Sequence, residues 1–216
     1  MSSIASARLG YDAALAGAEC YVIGLGARPR TLPVRRWRGE PTDADHRLLD
    51  LCQGPTLDVG CGPGRLAAEL LRRGQPALGI DVSAVAVAMA RRRGVPALVR
   101  DVFAPLPQPG TWTSVLLADG NIGIGGDPDR LLDRACHLLC RGGAVVVELA
   151  ARGIPTRRHQ LCLLVHERRT QPFSWAVVGV DEIAAMVGAA GLALEHVEQV
   201  DGRWFARLCR RVGRTR

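Results

Sequence analysis

Leu57-Asp58-Val59-Gly60-Cys61-Gly62-Pro63-Gly64 sets a glycine-rich turn directly after a short apolar run and directly before a helical pattern. Thr56 to Val59 reads as a buried strand and Pro63 to Arg73 as a helix. Glycine at 60, 62 and 64 removes side chains from a turn where a ligand can lie against the main chain. A glycine pattern alone is weak evidence, so the rest of the chain has to agree with it.

Downstream it does agree. Ala77 to Asp81 reads as a second strand, Ser83 as a helix N-cap, Ala84 to Arg93 as a helix and Gly94 as its stop. Ala97 to Asp101 makes a third strand, Pro105 to Pro109 a loop, and Ser114 to Ala118 a fourth strand. Asp127-Pro128 opens a helix that runs to Gly142-Gly143, and Ala144 to Leu149 is a fifth strand apolar enough to be buried on both faces. Upstream, Asp43 or Asp45 caps a helix reaching Leu51. Near the end, Asp181 to Ala190 reads as a helix, and Leu192 to Gln199 and Arg203 to Cys209 as strands turning at Asp201-Gly202. This alternation predicts an α/β fold with a mostly parallel sheet and helices on both faces.

Two segments break the rhythm. Residues 151–178 carry Arg152, Arg157, Arg158, Arg168 and Arg169 around a strand-like Leu161 to Val165, and read as an insertion on the substrate side. Residues 1–42 are rich in glycine and proline, with a helical stretch only around Asp12 to Cys20, and read as an N-terminal extension over the site. Residues 43–216 are then the ligand-binding domain.

Acidic residues close three successive strands or their turns. Asp81 follows Gly60 by 21 positions, where a carboxylate facing a crevice accepts hydrogen bonds from ribose hydroxyls. Asp101 ends the next strand and suits an adenine amino group. Asp58 stands immediately before the glycine turn, a poor neighbour for a pyrophosphate and a good one for an ammonium. A ligand carrying sulfonium and ammonium groups but no phosphate fits this charge pattern better than NAD does.

Over residues 43–209 the chain resembles the class I S-adenosylmethionine-dependent methyltransferases of small-molecule type, with Leu57 to Gly64 as the most specific part. The resemblance implies a Rossmann-like methyltransferase fold: seven strands, mostly parallel, with an antiparallel C-terminal strand. It also implies that S-adenosylmethionine is the cofactor and S-adenosylhomocysteine the product. The methionine portion would be held by the turn at Asp58, Gly60, Cys61, Gly62 and Gly64, and the ribose by Asp81. Adenine would lie at Asp101, flanked by Val82 and Val102. Tyr11 is similar to a tyrosine that closes over the cofactor near its methyl group in many small-molecule members.

Leu117 to Asp127, which includes Asp119 and Asn121, is the loop expected to wrap both cofactor and acceptor, with Asp119 also a cofactor contact. Asp119, Asn121, Tyr11 and His166 are the candidates for a catalytic role. His166 is preferred over His46, His137, His159 and His196 because its segment is expected to cover the acceptor. No metal-binding motif such as H-E-x-x-H or a cysteine cluster is present, so no metal is expected.

Composition narrows the class further. The 216 residues are 48% hydrophobic, enough for one α/β domain, and no apolar run is long enough to cross a membrane. No signal-peptide order is seen at the N-terminus, and the seven Cys form no C-x-x-C pair, which predicts a cytoplasmic protein with reduced cysteines. All 28 basic residues are Arg and the net charge is +7. Aromatic residues are only 4%, too sparse for the stacking platforms of single-stranded nucleic-acid binding. A small-molecule acceptor in specialised metabolism is therefore the first reading. A peptide, protein or RNA methyltransferase is the second, and a non-catalytic cofactor-binding module is a third of another class.

Overall fold

The protein is described by a computed structural model covering residues 3–211; residues 1–2 and 212–216, including Arg214 and Arg216 of the basic tail, lie outside the described residues. In chain order the elements are α1 (Ser3–Leu15), β1 (Cys20–Ile23), β2 (Arg30–Thr31), α2 (Val34–Arg38), α3 (Asp43–Asp50), β3 (Thr56–Val59), α4 (Arg65–Arg72), β4 (Ala77–Asp81), α5 (Ala84–Arg92) and β5 (Ala97–Val99). They continue with β6 (Trp112–Leu117), a 3-10 turn (Asn121–Gly123), α6 (Pro128–Leu138), β7 (Leu139–Leu149), β8 (Arg157–Val165), β9 (Arg168–Arg169), β10 (Phe173–Val177), α7 (Ile183–Met186), β11 (Leu192–Val200) and β12 (Arg203–Arg210).

Seven strands form one sheet in the order β11-β12-β7-β6-β3-β4-β5. Every pairing from β7 to β5 is parallel, and β12 runs antiparallel between β7 and β11. This is the Rossmann-like methyltransferase sheet the sequence predicts. The chain leaves β3 toward β4 and β5, then returns to its other side with β6, so the strand order reverses at β3. At such a reversal the connections after neighbouring strands diverge and leave a crevice at the carboxyl ends.

Side-chain alternation packs both faces. Val115, Val145 and Val147 point to the face covered by Leu131, Leu132 and Ala135 of α6. Leu116 and Val146 point to the other, where they meet Leu48 and Leu49 of α3, Leu66 and Leu70 of α4, and Val87 and Ala90 of α5. All four residues of β3 are buried, including Asp58, as expected of a strand with neighbours on both edges and helices on both faces.

Several local expectations need correction. The cap of α3 is Thr42, whose hydroxyl accepts the Asp45 N–H while the Asp45 carboxylate accepts the Thr42 N–H, so Asp45 is the reciprocal partner and not the cap. Helix α6 stops at Leu138 and the chain passes straight into β7. Gly142-Gly143 lies inside that strand, where a Cβ on Gly143 would stand 3.0 Å from the Trp112 and Thr113 carbonyls of β6. The third strand ends at Val99, because Asp101 turns the chain by accepting the Phe103 N–H. The helix expected over 181–190 is reduced to the four residues of α7.

The largest correction concerns the two irregular segments. The helix expected at 12–20 is α1, which ends at Leu15; Gly17 at φ +108 turns the chain, and Cys20 already begins a strand. The strand expected at 161–165 starts at Arg157. Together residues 20–31 and 157–177 build a second sheet, β10-β8-β1-β2 with β9 on β8, all antiparallel. The buried face of this sheet packs Cys20, Val22, Leu161 and Leu163 against Ala14 of α1. Extension and insertion are thus one layer, which neither segment could form alone.

Candidate functional site

The glycine turn is held open by its own backbone. Gly60 and Cys61 both donate to the Ile80 carbonyl, at 2.8 and 3.0 Å, and Gly60, Gly62 and Gly64 all have positive φ. The three glycines do different work, which corrects the expectation that all three make room for a ligand. A Cβ on Gly64 would meet Ala90 at 2.8 Å, so that glycine lets α4 start against α5. One on Gly60 would strike the Asn121 side chain at 2.7 Å. A Cβ on Gly62 would meet only the end of a side chain, the Tyr11 hydroxyl at 3.1 Å, so no packed element covers this backbone. The Cys61 side chain points into the sheet over Gly79, leaving its main chain as the part that faces the turn; burial pushes its thiol pKa up.

Asp81 ends β4 beside this turn. Its Oδ2 accepts the Gly62 N–H at 3.0 Å and its Oδ1 accepts the Ser83 N–H at 2.8 Å, so each oxygen keeps capacity for a second donor. It is only 7% exposed, and burial raises its pKa above the ordinary carboxylate value. The expectation that Asp81 is merely a crevice residue is therefore incomplete: it also ties the turn to β4. Val82 is exposed, Asp101 is exposed in its own turn, and Val102 is buried in the core.

Asp58 lies beneath the turn, 2% exposed, with Oδ2 lacking a hydrogen-bond partner among the described residues. Burial, reinforced by the charge of Asp119, pushes its pKa up to about 7. At neutral pH it is thus a weaker anion than its position in the sequence implies. Because the folded value lies above the ordinary 3.8, the free protein loses stability as pH rises from about 4 to about 7, where the unfolded chain ionises and the folded one resists. Asp58→Asn is expected to remove that loss. Thermal unfolding of the two proteins without ligand should show matching midpoints near pH 4 and a gap favouring the variant that widens to pH 7 and then stays constant. A gap independent of pH would contradict a buried neutral acid.

Asp119, expected as a cofactor contact and a candidate for a catalytic role, lies among charged partners. Its N–H donates to Glu148 Oε2 at 2.7 Å, and its carboxylate stands 2.8 Å from both Arg65 Nη2 and Arg36 Nη2. Asn121 donates its amide to the Val59 and Gly60 carbonyls at 2.9 and 3.0 Å, clamping the glycine turn and leaving only its oxygen unengaged by these bonds. His166 sits at positive φ in the exposed turn between β8 and β9, and no contact brings it to the glycine turn. Tyr11, by contrast, reaches that turn. Burial, then the charge of Asp81, raises its pKa well above the usual phenol value, so it faces the turn as a neutral hydroxyl.

The N-terminal segment is seated at several points. The Ser83 hydroxyl donates to Asp12, the Tyr11 and Trp37 rings meet edge to face at 5.8 Å, and Arg93 Nη1 donates to the Gly39 carbonyl at 3.1 Å. A cavity of about 680 Å³ lies outside the turn, between α1, β2 and α2, bordered by Ala14, Cys20, Leu32, Val34, Arg35 and Arg38.

Under the site runs a buried charge network that the sequence reading did not assemble. Arg65, 3% exposed, pairs with Asp45 and Asp119; Arg203 binds Glu148 through two 2.8 Å bonds and Asp45 through a third; Arg36 of α2 joins at Asp119. The hydrogen bonds from Arg65 and Arg203 outweigh burial and hold Asp45 well below the usual carboxylate range. Two local signals pointed to it. Arg65 opens a helix, where the dipole disfavours a cation, and Glu148 is the one acid in an apolar strand.

The comparisons agree with this architecture. The family described as a methyltransferase domain matches residues 56–143. A trans-aconitate 2-methyltransferase from Paracidovorax citrulli is 32% identical over 124 residues, covering 53% of this chain and 47% of that protein, so the chain spans about half the length of the curated relative it matches. Among solved structures, a SAM-dependent methyltransferase from Bacteroides fragilis in complex with S-adenosyl-L-homocysteine superposes with TM-score 0.74 at 21% identity, covering 95% of this chain and 92% of that one. The 1,6-didemethyltoxoflavin-N1-methyltransferase of Burkholderia thailandensis gives 0.65 at 17%, covering 96% and 88%. Residues 56–143 are thus similar to a methyltransferase domain, and the fold of the solved methyltransferases extends over nearly all of the described chain.

Proposed function

We propose that this protein transfers the methyl group of S-adenosylmethionine to a small-molecule acceptor, in the cytoplasm and as part of specialised metabolism. The observation that carries the reading is the pairing of Asp81 with the Gly62 backbone: an anchored carboxylate with spare acceptor capacity beside main chain that only the Tyr11 hydroxyl approaches. That arrangement suits a ribose whose amino-acid tail lies along the turn. The cofactor supplies an activated methyl on a cationic sulfur. The chain supplies alignment and exclusion of water, through the turn, Tyr11 and the cover built from residues 1–42 and 151–178.

In this reading residues 1–42 and 151–178 fold over the crevice, an arrangement that suits a small acceptor. Solved neighbours of the same fold include methyltransferases named for 1,6-didemethyltoxoflavin and for an amino pentose. The arginines of the insertion are in part internally neutralised, Arg152 by Asp181 and Arg158 by Asp127 and Asp129, which weakens the case for a polyanionic partner.

Calorimetry is the first test, with S-adenosylhomocysteine expected to bind and NAD not. Asp81→Ala should lose about 1.5 to 3 kcal/mol, roughly ten- to a hundredfold in affinity. Because this change also unties the turn, Asp81→Asn, which keeps one acceptor oxygen, should fall between the two. Equal affinity in all three proteins would remove the ribose assignment. Labelled cofactor incubated with a metabolite extract should then mark a small molecule, and label confined to protein or RNA would overturn the acceptor class.

A further inference from the structure

The chain is poor in aromatic residues, with four Trp, two Tyr and three Phe in all. Five of these nine, Tyr11, Tyr21, Trp37, Phe173 and Trp175, belong to the cover layer, and all five are only half buried, unlike the core residues Phe205 and Trp112; Tyr11, Phe173 and Trp175 pack on one apolar cluster, with Trp37 against Tyr11. Phe173 and Trp175 are alternate residues of β10 and therefore share a face, with their rings edge to face at 6.4 Å. Phe173 lies across from Leu161 and Trp175 across from His159, so His159 is on the face that carries buried Leu161 and Leu163. That is the face turned toward α1 and Tyr11.

Trp175 also reaches the acceptor loop. A Cβ on Gly123 would stand 2.6 Å from its indole nitrogen, so the ring edge rests directly on the 3-10 turn Asn121–Gly123. Asn121 of that turn grips the carbonyls of Val59 and Gly60. The indole is thus one short turn from the backbone against which the cofactor is proposed to lie. Apolar walls of aliphatic residues would serve any greasy acceptor equally well; concentrating the chain's scarce rings here favours a flat, π-bearing one.

Resting on the methyltransferase reading above, we propose that the acceptor is a planar aromatic or heteroaromatic molecule, and that the Trp175 ring is the wall it packs against, with the His159 imidazole beside it for a polar group on the acceptor's edge. The probes are 2-naphthol and its saturated decahydro analogue, titrated into the protein with and without S-adenosylhomocysteine. Naphthol should bind more tightly than the saturated alcohol. Trp175→Leu should weaken it by about tenfold, and Trp175→Phe should restore most of that. S-adenosylhomocysteine affinity, measured separately, should be unchanged in both variants, which also reports that the turn remains intact. Equal binding of the two alcohols, no naphthol binding by the parent protein, or no effect of Trp175→Leu would overturn the aryl wall. Failure of S-adenosylhomocysteine to bind the parent protein falls instead on the cofactor reading, and the naphthol arms still decide the wall.

Discussion

Gly62→Val is expected to cost about two orders of magnitude or more in S-adenosylhomocysteine affinity while leaving the fold in place. Gly62 has φ +53, a left-handed conformation that a β-branched residue adopts only at a cost of roughly 1 to 2 kcal/mol or more. A Cβ there would stand 3.1 Å from the Tyr11 hydroxyl, in the space the ligand is proposed to share. Relief by shifting the turn would loosen the bond from the Gly62 N–H to Asp81, so strain and lost contact act on the same ligand. Gly64→Val separates the two kinds of glycine. Its Cβ would meet the Ala90 backbone at 2.9 Å, so its damage should appear as lost stability. Calorimetry on each variant, after circular dichroism confirms folding, tests the distinction; a folded Gly62→Val protein with parental affinity would falsify the site.

Arg65→Met should be the most destabilising single change in the site, by about 3 to 5 kcal/mol. It removes the cation between Asp45, which is fully buried, and Asp119, leaving both carboxylates with fewer partners in a medium that solvates them poorly. Arg203 still reaches Asp45, which keeps the loss below complete unfolding. For a domain of this size the melting point should fall by on the order of 10 °C. Arg36→Met is the internal control: Arg36 is a third exposed and makes one short contact, 2.8 Å to Asp119, with Asp45 and Glu148 at 3.8 and 4.0 Å, so its loss should be smaller. Similar losses in the two variants would mean that the network is not organised around Arg65.

Much of the fold could be read in advance because its signals are local. β3, β4 and the β11–β12 pair end within a residue or two of where apolar runs and turn residues put them. Ser83 caps α5 as expected, its hydroxyl accepting the Ala86 N–H. The positions of Asp81 and Gly62 at a strand end and in a turn followed from the same short-range logic. Errors arose where neighbours in space overrode local preference: Gly142-Gly143 looks like a helix stop but lies inside β7, where the β6 backbone comes too close to Gly143 for a side chain.

By itself, the amino-acid sequence determined the class of sheet, the order of its elements, the glycine turn and the acids beside it. Each of these depends on periodicity, backbone freedom or charge within a few residues. Only the tertiary structure decided what those residues do together. Asp119 and Asn121 also hold the scaffold together, through partners Arg65, Glu148, Val59 and Gly60 that are between 29 and 62 positions away. Residues 20–31 and 157–177 became one sheet because an edge strand satisfies its backbone by pairing, whatever the distance along the chain. Interactions of that kind leave almost no trace in a local pattern, and here they set which side chains face the crevice.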